Sequence, residues 1–128
     1  MIVHVQHAAA QGLPELVFVT ADTDVFVLCL FHWKRLHGIQ ELWIRTGTGD
    51  STSIILIHLL VETLGPDLGS VLSAVHVLTG ADYTSKFGTK KAGLNCNPVQ
   101  FLTNFGISVD DCDMLSSMKK AEAYLVQI

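Results

Sequence analysis

Residues 16–25 read Leu16-Val17-Phe18-Val19-Thr20-Ala21-Asp22-Thr23-Asp24-Val25, and the fold turns on how this stretch is taken. Leu16 to Val19 is a short continuous apolar run, the pattern of a parallel strand buried on both faces. Thr20 to Thr23 then supply helix-capping side chains, and Val25-Phe26-Val27-Leu28-Cys29-Leu30-Phe31 follows as a buried helix despite its β-branched content. A strand that runs into two carboxylates and then into a helix is half of a parallel-sheet unit. In such sheets ligands bind beyond the carboxyl ends of the strands, which is where Asp22 and Asp24 stand.

On the amino-terminal side, Ile2, Val5, Ala8 and Ala9 recur at helical spacing before Gly12 and Pro14, so residues 2–11 read as a helix. On the other side, Gly38 closes the second helix, Glu41-Leu42-Trp43-Ile44-Arg45 reads as the next strand, and residues 46–53 form a polar loop. Within it Gly47-Thr48-Gly49-Asp50 lacks the GK[ST] ending of a phosphate loop and reads as a hairpin or connecting loop. Ser53 can cap a helix carrying Ile54, Ile57, His58, Leu60, Val61 and Leu64, and Gly65-Pro66 ends it. Asp67 can cap another that passes through Leu68, Val71, Leu72, Val75 and Leu78 to Gly80. A polar stretch to Pro98, the segment Val99 to Phe105 and a terminal helix from about Met114 to Val126 complete the chain. The expectation is one α/β domain over residues 1–128. It has a parallel sheet with flanking helices in residues 1–52 and a mainly helical half in residues 53–128.

Hydrophobic residues make up 49% of the chain against 16% charged, with a mean hydropathy of +0.42. That is too apolar for disorder and unusually apolar for a complete soluble domain. The longest apolar run, Val25 to Phe31, falls far short of the ~20 residues that span a bilayer, and no basic segment opens a signal peptide. Three cysteines at irregular spacing, without a CxxC pair, suit a reducing compartment. The expected location is therefore intracellular, nuclear or cytoplasmic, away from membranes. A net charge of −4 argues against a broadly basic nucleic-acid surface, yet Lys86, Lys90 and Lys91 cluster locally.

Two carboxylates two residues apart repel by about 4 kcal/mol at ~4 Å and an effective dielectric of 20, which invites a cation. Mg²⁺ or Mn²⁺ suits oxygen ligands of this kind and shares its remaining positions with water and phosphate. The plain alternative is that Asp22 caps the helix and Asp24 sits in its first turn, where the helix dipole favours a carboxylate. Other signals carry less. His4 and His7 share a helical face but have no third zinc ligand, and His58 and His76 fall among apolar positions as hydrogen-bonded core or boundary residues. No nucleophile elbow supports acyl transfer.

The segment Val19 to Val25, taken with Thr79-Gly80-Ala81-Asp82-Tyr83-Thr84-Ser85-Lys86-Phe87-Gly88-Thr89-Lys90-Lys91-Ala92, resembles the metal-dependent nucleases of the flap-endonuclease and PIN-like class. It is similar in particular to a PIN-like group associated with mobile elements, which carries a DTDV segment, a TG-x-D-[TY]-T-S segment and a GKK-type turn. The likeness spans roughly residues 2–125. It implies a PIN-like parallel sheet and phosphodiester hydrolysis in DNA or RNA with Mg²⁺ or Mn²⁺. Asp22, Asp24 and Asp82 would be the metal ligands and catalytic carboxylates. Lys86, Gly88, Lys90 and Lys91 would mark a helix-turn-helix that follows the nucleic-acid backbone. In-line attack on a phosphodiester uses metal both to activate water and to stabilise the leaving oxygen, so several carboxylates must converge.

The chain departs from that class in two ways. Further acidic residues of the class would lie upstream of Met1, and the turn is shorter, with one glycine where flap endonucleases have two. The expectation is an amino-terminally truncated domain whose uncovered sheet edge, along residues 16–20 or 41–45, favours self-association. Two other functions compete. One is a non-catalytic nucleic-acid or protein interaction module that keeps the fold. The other is a haloacid-dehalogenase-like phosphatase, which needs its later acidic motif after a strand, whereas residues 68–78 read as helix.

Overall fold

β-branched and aromatic side chains suit a half-covered pleated surface, and Glu15–Val19 and Glu41–Thr46 both become strands on that account. The computed structural model describes residues 1–82, 84–103, 105 and 111–128, and of these every side chain but those of Pro66, Lys90, Asp111 and Cys112. It divides into two compact units, Met1–Pro66 and Asp67–Ile128.

In the first unit, α1 (Ile2–Ala10) precedes β1 (Glu15–Val19), and α2 (Thr23–His32) crosses over to β2 (Glu41–Thr46) through a 3-10 turn at Trp33–Arg35. β1 and β2 are parallel, with Leu16 opposite Leu42 and Phe18 opposite Ile44. β3 (Ser53–Leu56) then pairs antiparallel to β2, with Ile44 opposite Ile55, which gives the order β1-β2-β3. The sheet is therefore mixed, and parallel only between β1 and β2. Ser53 begins a strand rather than capping a helix, and α3 starts later, at Ile57–Leu64. The run Ile54-Ile55-Leu56-Ile57 has no period that separates strand from helix, so the hairpin before it decides the matter. Gly47 makes that hairpin: its φ is +83°, and a Cβ there would lie 2.3 Å from the Ser51 carbonyl oxygen.

The strand expected to be buried on both faces is covered on one. Leu42 and Ile44 are buried together with Val5 of α1, Val27, Cys29 and Leu30 of α2, and Ile57 and Val61 of α3. On the opposite face Val17 is 61% and Val19 74% exposed. β1 stands at the edge of the sheet, which leaves that face open where a central parallel strand would have helices on both sides. At the far end of β2 the Leu42 N–H points past the end of β3, and His58 Nδ1 accepts it at 3.3 Å. The imidazole thus continues the ladder where β3 stops. It lies between Trp33 and Trp43, with ring centroids 6.2 and 6.4 Å away, which is the boundary role expected for it.

The second unit is helical, as the sequence indicated: α4 (Pro66–Leu78), α5 (Lys90–Asn95), α6 (Pro98–Leu102) and α7 (Asp111–Leu125). Val71, Ala74 and Val75 of α4, Leu102 of α6, and Ala121 and Tyr124 of α7 form its core. α4 opens with Pro66, whose fixed φ suits the first helical position, one residue before the expected cap at Asp67. α5 has no counterpart in the sequence reading. Six residues are too few for a periodic signal, and its start is set by Thr89, whose hydroxyl accepts the Ala92 N–H at 3.1 Å. Among the described residues no helix is long and apolar enough to cross a membrane.

Candidate metal site at the carboxyl end of the first strand

Thr20 lies one residue past β1, yet its N–H still donates to the Arg45 carbonyl at 3.0 Å, so it keeps the register of the strand. Its hydroxyl oxygen accepts the Asp22 N–H at 3.1 Å, which turns the chain out of the sheet. Asp22, with extended backbone at φ −83° and ψ 119°, is the N-cap of α2, and its Oδ1 accepts the Asp24 N–H at 2.8 Å. Asp24 occupies the first turn. The capping arrangement weighed from sequence is thus present at the carboxyl end of the parallel pair.

Next to Asp22 a cleft of about 210 Å³ opens between the ends of β1 and β2. Asp22 and the hydroxyl residues Thr20, Thr23 and Thr46 line it together with Ala21, Phe26, Ile44 and Ile55, and most of its exposed surface is apolar.

Magnesium usually takes one or two protein carboxylates and keeps several waters, and Asp22 is the carboxylate that lines the cleft. Oδ2 of Asp22 accepts no hydrogen bond among the described residues. The partial positive charge of the α2 terminus acts against a cation there, by about 0.3–1 kcal/mol, while it favours the carboxylates themselves. A two-ion site needs more oxygen donors. Neither unit, among its described residues, gathers three His, Cys, Asp or Glu side chains in a group that could hold a metal.

Asp82 belongs to the second unit, exposed in the segment between α4 and α5. That segment is pinned to the end of α4: Thr84 Oγ1 donates to the Val77 carbonyl and accepts the Ala81 N–H, both at 2.9 Å, and the Phe87 N–H donates to the Leu78 carbonyl at 3.1 Å. Gly80 allows the turn, with φ +106°, and the stem of Lys86 lies against it, 3.3 Å from where a Cβ would be. Asp22 and Asp24 stand two residues apart at the start of α2, and Asp82 belongs to the second unit. Lys86 and Lys91 are exposed, Lys91 in the first turn of α5 rather than in a turn between helices. Tyr83 and the side chain of Lys90 lie outside the described residues. Gly88 faces inward: a Cβ would meet the side chain and carbonyl oxygen of Ile128 at 3.0 Å, so packing alone accounts for the glycine.

Of the residues that line the cleft, the sequence reading placed only Asp22 in a site and gave Thr20 a helix-capping role alone. Thr20 was findable, because a threonine two residues ahead of an aspartate at a strand end is a ready side-chain turn. Thr46 carried no local signal, since only the β1–β2 register brings it to the cleft. Comparison with protein-family models, with curated proteins and with solved structures finds no match to the chain.

Proposed function

We propose that the chain is a nuclease-like domain that hydrolyses phosphodiester bonds in nucleic acid with Mg²⁺ or Mn²⁺ at Asp22 and Asp24 of the first unit. The observation that carries this reading is Asp22 and Asp24 at the carboxyl end of the parallel pair, with Asp22 lining a cleft of about 210 Å³. A bound ion supplies an acidified water and neutralises phosphate charge. Asp22 and Asp24 would hold it, the Thr20 and Thr46 hydroxyls would offer hydrogen bonds to phosphate oxygens, and Phe26, Ile44 and Ile55 form an apolar wall of the cleft beside Asp22. A nucleic-acid strand would present its phosphate there from outside. Lys86, Lys90 and Lys91 would then attract the backbone without reading bases. The similarity of the segments around Asp22 and Asp82 to flap-endonuclease and PIN-like motifs points the same way.

Thermal unfolding with and without divalent metal tests the reading. Mg²⁺ or Mn²⁺ raises the midpoint of the unaltered chain, by the equivalent of about 2.7 kcal/mol when metal stands a hundredfold above its dissociation constant. Asp24→Asn abolishes the rise, and labelled single- and double-stranded nucleic acids are cut only with metal and only by the unaltered chain. A midpoint indifferent to metal in both proteins would sink it.

One observation favours a second reading, the non-catalytic interaction module: Oδ1 of Asp22 is engaged in the cap, and neither unit assembles three donors among its described residues. That reading expects metal-independent stability together with nucleic-acid or protein binding, and metal-dependent cleavage excludes it. The phosphatase alternative gains nothing, because residues 66–78 form α4 where it needs a strand.

A further inference from the structure

β1 has one neighbour. Thr20 N–H donates to Arg45 and the Pro14 carbonyl accepts from Glu41, so the even-numbered residues of this stretch bond toward β2. Backbone groups alternate in direction along a strand, so the N–H and C=O groups of Glu15, Val17 and Val19 point away from the sheet. Among the described residues they meet no partner. The side chains of these same three residues are exposed, on the face where β3 adds Ile54 at 54% exposure. Charge on this face is separated along the strands. Glu15 stands directly opposite Glu41 at the amino end, whereas Arg45 stands beside Val19 at the carboxyl end, and among the described residues neither Glu15 nor Arg45 has an ion-pair partner.

An open edge of β-branched residues is a template for another strand, and the charge separation says which one. We propose that two copies of this chain pair through β1, antiparallel, with Val17 on the two-fold axis. Val17 then lies opposite Val17 of the partner subunit, and Glu15 opposite Val19 of the partner subunit. All three outward residues fall at hydrogen-bonded positions, which closes about six backbone hydrogen bonds. Each exposed valine gains a cross-strand neighbour. Glu15 also comes within about two strand spacings, ~10 Å between Cα atoms, of Arg45 of the partner subunit, a gap these two long side chains span. A parallel pairing lacks this match and leaves an open-ended assembly instead of a closed dimer. A joined sheet edge alone buries less than the ~800 Å² per partner of stable complexes, so the dimer is weak and concentration-dependent.

Sedimentation of the whole 128-residue chain from roughly 10 µM to 1 mM reads the equilibrium directly. The monomer gives way to dimer over that range. In parallel, amide exchange at Val17 and Val19 slows as concentration rises, while Phe18, already bonded to β2, is protected throughout. Glu15→Arg and Arg45→Glu each weaken the dimer about tenfold, since each disrupts two symmetry-related pairs, and the double reversal restores it. Val17→Pro, tolerated where an edge N–H faces outward, gives a monomer. A monomer at every concentration overturns the proposal. So does a dimer whose Val17 and Val19 amides exchange at a constant rate, or one that the charge reversals weaken singly without recovery in the double variant.

Discussion

Tyr124 is fully buried in the second unit's core, and its hydroxyl has no hydrogen-bond partner among the described residues. Burial, and then the neighbouring Cys96, pushes its ionisation above the ordinary tyrosine value. A buried hydroxyl left unmet costs about 1–3 kcal/mol, so Tyr124→Phe is expected to raise stability by about 1 kcal/mol, read as a higher denaturant midpoint at unchanged slope. Gly93 faces the same oxygen. An alanine Cβ there would sit 2.5 Å from the Tyr124 hydroxyl and 2.9 Å from Thr79 Cγ2. Replacing a helical glycine with alanine normally gains about 1 kcal/mol, but here the overlap reverses the sign, to a loss of about 2 kcal/mol. The loss shrinks in the Tyr124→Phe background, where one of the two clashing atoms is gone, and a double-mutant cycle measures the difference. Cys29 belongs to the same scale. Burial pushes its thiol from 9.0 up to about 11, so the folded chain keeps a proton that the unfolded chain releases. Its contribution to stability is whole below pH 9 and is lost as pH rises through about 11. Cys29→Ala is expected to flatten that decline in a denaturant series, and alkylation at pH 8 is expected to modify Cys29 only in denaturant, as peptide mass will show.

Among the elements, α2 separates the two roles of Asp22. Asp22→Ala removes the cap and is expected to cost about 1 kcal/mol without metal, whereas Asp22→Asn keeps a capping oxygen and costs little. Both remove the charge, so both lose the metal-induced rise in midpoint, which thermal unfolding in chelator and in Mg²⁺ will resolve. This cap was legible in the sequence because it is local: strand, threonine, aspartate and helix lie within a few residues, and α1, β1, α2 and β2 follow from similarly short signals. What escaped was non-local. Ser53 looked like a cap because Ile54 to Leu60 is apolar apart from His58, and only pairing with Arg45 and Ile44 makes residues 53–56 a strand. Leu16 to Val19 looked central because apolar continuity says how a strand is composed but not whether a neighbour exists on each side. The aspartate pair was readable as chemistry for the same local reason, whereas convergence with Asp82 depends on the packing of a separate unit.

At the scale of the whole molecule, one of the two units carries a signal of its own. Trp33 and Trp43, the only tryptophans in the sequence, both belong to the first unit, so indole fluorescence follows Met1–Pro66. Ellipticity at 222 nm follows the helices of both units, α1 to α3 as well as α4 to α7. A ligand stabilises whatever it binds in the folded state and nothing else, so metal added during unfolding reports which unit supplies its donors. Asp22 and Asp24 belong to Met1–Pro66, so an ion held there raises the fluorescence midpoint, and Asp22→Asn removes that rise while leaving the midpoint in chelator nearly unchanged.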